Sequence, residues 1–226
     1  MKKETQCVHS GTIHDSMFDS VNSPVFTSSA YGYLDRETVA YPRYFNTPNQ
    51  QAVVEKVCAL EGAEDGVLFS SGMAAMSSSL LAFAKAGDHV VLMDELYGGT
   101  HAFATNELPR LGMEYSFGKT DAAALCQEVK QNTKVVVIES PTNPLLSVID
   151  IRKVAEFCRK RNIATIIDNT FATPLHQNPL KLGIDVVVHS GTKYLGGHSD
   201  ICCGIAVTQR KRRNAYAPWR SAWAEV

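Results

Sequence analysis

A lysine within a loop of small hydroxylated residues, Ser190-Gly191-Thr192-Lys193, carries the most specific chemistry in this sequence. A primary amine condenses with a carbonyl to form an imine, and the two hydroxyls beside it can hold a phosphate. A solvated surface lysine is the ordinary alternative for the same segment. Asp168, in Asp168-Asn169-Thr170-Phe171, suits a protonated pyridine nitrogen, whose charge makes the ring an electron sink; it equally suits a helix cap. Tyr97, just before Gly98-Gly99, offers a flat face to an aromatic ring, or else is a turn tyrosine at the surface. Ser71-Gly72-Met73 at the start of a helix presents backbone amides and the positive helix end to a phosphate, although strand-glycine-helix turns also arise from packing alone. No GxGxxG follows the first strand and no Walker A lysine follows these glycines, which disfavours a nucleotide-dependent oxidoreductase on a similar sheet.

The elements that must position these residues follow from hydrophobic periodicity. Val53, Val54, Val57, Cys58 and Leu60 lie at helical spacing between Pro48 and Gly62. β-rich runs at 66–69, 89–93, 113–117, 134–139, 163–167 and 184–189 then alternate with amphipathic segments at 73–85, after Gly99, from the Asp121 cap to 130, and at 151–161. Such β-α-β-α alternation predicts an α/β fold, a three-layer α/β/α arrangement with a mostly parallel sheet. Ligands of open α/β sheets sit beyond the carboxyl ends of the strands, and five of these runs end in polar loops that hold the candidate residues. Residues 1–47 read as an extended arm toward a partner subunit, 48–207 as one domain, and 208–226 as an atypical tail.

Composition narrows the partners. The chain has 226 residues with 22 basic and 23 acidic side chains, a formal charge of -1, so no global field draws it to nucleic acid or an anionic membrane. No run approaches the roughly 20 apolar residues of a membrane span, and the opening Met-Lys-Lys-Glu-Thr-Gln lacks a signal-peptide core, so a cytoplasmic location is expected. Cys7, Cys58, Cys126, Cys158, Cys202 and Cys203 show no CxxC and no histidine at zinc-ligand spacing, which argues against a metal site and against disulfides. A small-molecule ligand, polar or zwitterionic, fits best.

Taken in order, Ser-Ser-Gly-Met-Ala-Ala at 70–75, Asp94 through Tyr97-Gly-Gly-Thr100, Glu-Ser-Pro-Thr-Asn-Pro at 139–144, Asp-Asn-Thr-Phe at 168–171 and Ser-Gly-Thr-Lys-Tyr with Gly197-His198 resemble the Cys/Met metabolism pyridoxal-phosphate enzymes. That family includes cystathionine γ-synthase, cystathionine β- and γ-lyases, methionine γ-lyase and O-acetylhomoserine sulfhydrylase. The resemblance covers residues 7–207 and implies an aspartate aminotransferase-like large domain that binds pyridoxal 5'-phosphate. It implies Lys193 as the Schiff-base lysine and proton shuttle, and Asp168 as partner of the pyridinium nitrogen. Gly72 and Met73 amides and Ser190 and Thr192 hydroxyls would hold the phosphate, Tyr97 would stack on the ring and act in proton transfer, and Asn143 would contact the ring hydroxyl. Tyr41 and Arg43 would complete the phosphate site of a neighbouring subunit, giving a homodimer or homotetramer with shared active sites. Elimination or γ-replacement on a sulfur amino acid is the implied reaction.

Three departures qualify the resemblance. Asn46-Thr47-Pro48 stands where the family usually reads Asn-Pro-Thr, and Gly99 stands where methionine γ-lyases typically carry a cysteine. After Val207 the basic cluster Arg210, Lys211, Arg212, Arg213 and Arg220, with Trp219 and Trp223, matches no family motif. The expectation is a truncated or frame-shifted end that lacks the family's smaller C-terminal domain and its carboxylate-binding arginine. A non-catalytic remnant that still binds cofactor is the competing reading.

Overall fold

The computed structural model describes residues 1–34, 37 and 40–209. Thr208 and Gln209 apart, the tail expected at 208–226 lies outside the described residues.

Seven strands form one sheet: β1 (Asp65–Phe69), β2 (His89–Met93), β3 (Glu114–Gly118), β4 (Thr133–Glu139), β5 (Ala164–Asp168), β6 (Val186–Ser190) and β7 (Gly204–Thr208). Their spatial order is β1-β7-β6-β5-β4-β2-β3. Pairing is parallel from β3 through β6, and β7 runs antiparallel to both β6 and β1. The two reversals cancel, so β1 points the same way as β6 and all five motif-bearing strands end at one rim. The α/β architecture read from the alternation therefore stands, with one strand more than the periodicity showed. β7 is a short run, Gly-Ile-Ala-Val-Thr, buried throughout and reached without an intervening helix, so it lies outside the strand-helix rhythm.

The helices are α1 (Lys3–His9), α2 (Pro48–Glu61), α3 (Gly72–Leu81), α4 (Gly98–Arg110), α5 (Ala122–Gln127), α6 (Ile151–Lys160) and the single turn α7 (Thr173–His176). Successive strand residues point to opposite faces. On β6, Ser190 meets Gly72 of α3 while His189 meets Glu61 of α2, which puts α2 and α3 on opposite sides of the sheet. Helix starts are chemically marked. Ser71 caps α3 through the Ala74 amide, Asp121 caps α5 as its sequence suggested, and Asp150 caps α6. The reordered Asn46-Thr47-Pro48 has its own logic: Gln50 Oε1 accepts from the Thr47 amide and hydroxyl, Pro48 takes the first helical position, and Asn46 Oδ1 accepts from the Tyr41 amide.

The N-terminal stretch is more ordered than its composition predicts. Helix α1 docks on α2, with Lys56 Nζ donating to the carbonyls of Cys7 and Val8 and Lys3 Nζ to that of Pro174. At Gly11, φ is +67° and a methyl would stand 2.2 Å from the Ala52 carbonyl oxygen, so only glycine permits this approach. Farther on, Met17, Phe18, Val21, Val25, Tyr33 and Leu34 are exposed on chain without regular structure.

His89 opens β2 at the rim opposite the motif loops and is fully buried. Its ring nitrogens pair with Thr133 Oγ1 at 2.8 Å and Ser116 Oγ at 3.0 Å, so the neutral ring is satisfied. Burial first, and Lys130 second, hold its pKa below 6.5. The folded chain thus takes up this proton less readily than the unfolded chain, and stability is lost as pH falls below about 6.5. Thermal unfolding between about pH 7 and pH 5.5 should show a decline in melting temperature that is shallower in His89→Gln. Parallel declines in both proteins would contradict this assignment.

Candidate active site

The shared rim encloses an open cavity of about 930 Å³. Helix α3 delivers its N-terminus there, and the Gly72 and Met73 amides lie too early in the helix for any helical carbonyl to reach. A methyl at position 72 would come within 2.7 Å of Ser190 Cβ, so glycine is what lets the helix end close on the β6 terminus. The Ser190 amide donates to Thr170 Oγ1 at 2.8 Å, which ties the β5 and β6 loops together.

Lys193 lines the same cavity from a tight loop, closed by its amide on the Ser190 carbonyl and by the Gly197 amide on its own carbonyl. Among the described residues, no ion pair engages the Lys193 ammonium. Asp168, at the end of β5, also faces the cavity, and its Oδ1 accepts from the Thr170 amide at 2.9 Å. Tyr97 and Asn143 arrive from the loops after β2 and β4. Thr192 lines the cavity too, but its hydroxyl is occupied: it donates to the Cys203 carbonyl at 3.2 Å and accepts from the Cys203 amide at 3.0 Å. Its visible work is to clip the lysine loop to the entry of β7. Tyr41 and Arg43 do not line this cavity; the Arg43 guanidinium donates to the Tyr41 hydroxyl and sits 5.5 Å from that ring's centroid.

Sequence reading assigned no role to Glu139, which the structure places at the centre of the rim. It is buried, lines the cavity, and stands opposite Asp168 in the β4–β5 register. Burial, then the Asp168 charge, push its pKa up to about 7 against the opposing pull of the Tyr97 and Asn143 amides. The available signal was an acid closing the otherwise apolar run of β4. Behind the rim, on the α2 face, Glu61 Oε1 accepts from Asn169 Nδ2 at 2.7 Å and pairs with His189 Nε2 at 2.7 Å, with all three side chains buried. Gln177 extends this network by donating to Asn169 Oδ1 and to the Ser140 carbonyl.

An amine, a carboxylate and a helix N-terminus share one cavity at the carboxyl rim of a mostly parallel sheet, a set with room for a phosphorylated, carbonyl-bearing heterocycle. The glycine-tight cradle at Gly72 fits the phosphate, and Lys193 and Asp168 fit the carbonyl and the ring nitrogen. The chain belongs to the Cys/Met metabolism PLP-dependent enzymes, whose family model matches residues 4–220. Pyridoxal phosphate is that family's cofactor.

Among curated proteins, the chain is 42% identical over 214 residues to cystathionine gamma-lyase of Bacillus subtilis, covering 93% of this chain and 56% of that protein. It is 40% identical over 209 residues to cystathionine beta-lyase MetC of the same organism, covering 91% of this chain and 53% of that protein. Among solved structures it resembles metB from Corynebacterium glutamicum with a TM-score of 0.92 and 36% identity, covering 98% of this chain and 59% of that one. The chain thus spans little more than half the length of the proteins it matches.

Proposed function

We propose that the chain carries the cofactor-holding part of an enzyme for elimination or γ-replacement on sulfur amino acids, of the cystathionine γ-synthase or cystathionine γ/β-lyase type. The observation that carries this reading is the convergence of Lys193, Asp168 and the Gly72–Met73 helix end on one cavity. Bound pyridoxal phosphate supplies an electron sink that acidifies the bond to a substrate's α-carbon. The residues do the rest. Lys193 Nζ would hold the cofactor carbonyl and would carry a proton between substrate carbons. The Asp168 carboxylate would keep the ring nitrogen protonated, and Tyr97 would offer its face to the ring. Asn143 orients the ring oxygen. The Gly72 and Met73 amides, the Ser190 hydroxyl and, if released from Cys203, the Thr192 hydroxyl hold the phosphate.

Tyr41 and Arg43, away from this chain's own cavity, belong in this reading to the phosphate site of a second copy, which makes a homodimer or homotetramer the working unit. Residues 1–47 then act as the arm and 48–207 as the catalytic domain. No described helix is long and apolar enough to cross a membrane, in keeping with a cytoplasmic location.

The test is titration with pyridoxal phosphate, followed by cystathionine, or by an O-acylhomoserine with cysteine. A yellow absorbance band and release of thiol, 2-oxo acid or cystathionine are expected. No band at saturating cofactor overturns the reading, and a band without turnover on any of these substrates favours the competing reading, a cofactor-binding remnant without catalysis of its own.

A further inference from the structure

Glu139 divides its two carboxylate oxygens between two loops. Oε2 accepts from the Tyr97 amide at 2.7 Å, and Oε1 accepts from the Asn143 amide at 2.8 Å. Tyr97 sits at the N-terminal boundary of α4, beside Gly98-Gly99, the first two residues of that helix, and Asn143 lies in the loop that follows β4. The two loops meet again where Thr142 Oγ1 donates to Glu95 Oε2 at 3.2 Å, but that contact does not involve either residue directly.

We propose that Glu139 is a positioning residue, a single buried carboxylate that sets the separation of Tyr97 and Asn143 across the mouth of the cavity. The inference rests on the proposed function, in which those two residues bracket the cofactor ring. Both contacts demand an acceptor, and a carboxyl group has one at each oxygen, whereas a carboxamide has only one. Glutamine would turn an NH2 group toward one of the two amides, and aspartate, one methylene shorter, would reach at most one of them well. Placing an acid here is also costly, because it stands beside Asp168 in the β4–β5 register and is itself buried. A loop brace with no part in the site would not need a second carboxylate against the first.

The test compares Glu139→Gln, Glu139→Asp and Tyr97→Ala, alone and as the Glu139→Gln/Tyr97→Ala pair. Amide hydrogen exchange without cofactor is expected to quicken about tenfold or more in Glu139→Gln at whichever of residues 97 and 143 faces the new NH2 group, the loss of roughly one hydrogen bond, while β4 itself is unchanged. Pyridoxal phosphate should bind about 10- to 100-fold more weakly, with the visible circular dichroism of its band falling by about half or more as the ring loses a fixed orientation. In the Tyr97→Ala background the same substitution should weaken binding by a clearly smaller factor than in the wild type, because the Tyr97 side chain it positions is gone and only Asn143 remains for it to act through. Glu139→Asp should shift in the same direction by a smaller factor, and it decides the matter if Glu139→Gln does not fold. Wild-type exchange, affinity and dichroism in the variants overturn the proposal, as does an equal loss with and without Tyr97. The wild-type band is read first: its absence sinks the cofactor reading, whereas its presence with indifferent variants sinks only the role of Glu139.

Discussion

Lys193→Ala should bind pyridoxal phosphate only non-covalently: the imine band of the wild-type complex disappears and borohydride no longer fixes the cofactor to the chain. The wild-type adduct, located by peptide mass spectrometry, is expected on Lys193 alone. The reasoning is geometric. Among the described residues no ion pair occupies the Lys193 ammonium, its loop is held by its own backbone bonds, and it shares a cavity with Asp168 and with the Gly72 end of α3. Removing the amine leaves the phosphate contacts intact, so residual non-covalent binding should persist, weakened about 100-fold or more. Any turnover should fall by about 10³-fold or more, since a positioned proton carrier contributes about 10² to 10⁴ and the covalent tether is lost as well. A persistent band in the alanine variant, or an adduct on another lysine, would remove the foundation of the proposed function.

The second large effect is on stability. Glu61→Ala should cost about 3 to 5 kcal/mol, because it takes one member from a fully buried polar set. Glu61 is 0% exposed and His189 1%. His189 Nδ1 has no partner in the structure, so the 2.7 Å contact from Nε2 to Glu61 is the ring's sole polar bond among the described residues. Asn169 Nδ2 keeps only its 3.1 Å bond to the Gln177 carbonyl. A fall in melting temperature of about 10 °C follows for a domain of this size, measured by calorimetry or circular dichroism. The loss should also reach the site. Asn169 directly follows Asp168 and His189 directly precedes Ser190, so cofactor affinity should decline with stability. A variant within about 1 kcal/mol of wild type would show that the network is not holding these strand ends.

Much of this was legible in the residues. Lys193, Asp168, Tyr97 and Gly72 stand where apolar runs give way to polar loops, and parallel strands bring such ends to one rim whatever their distance along the chain. Other features were hidden for a physical reason. Glu139 earns its place through amides 42 and 4 residues away, and Glu61 meets His189 across 128 residues, pairings that no periodicity encodes. The hydroxyl of Thr192 looked available to a ligand because its engagement with Cys203 is a tertiary fact. β7 escaped because five uniformly buried residues lack both the alternation of a half-exposed strand and the helix that announces a parallel one. Helix α1 is only seven residues long and buries none of them, so its order comes from docking on α2 rather than from an amphipathic pattern.

The place of β7 in the sheet has a consequence for how the molecule is made. β1, which leads into the α3 cradle, has one neighbour in the sheet, β7, with Asp65 paired to Thr208 and Phe69 to Gly204. On a ribosome the earliest strand therefore waits, its edge unsatisfied, until almost all of the described chain has been synthesised. Closing so long a loop is slow, and an unpaired edge invites aggregation in the interval. The cavity-facing end of α3 is thus among the last parts of the fold to acquire its support, although it is translated well before the strand that supplies it.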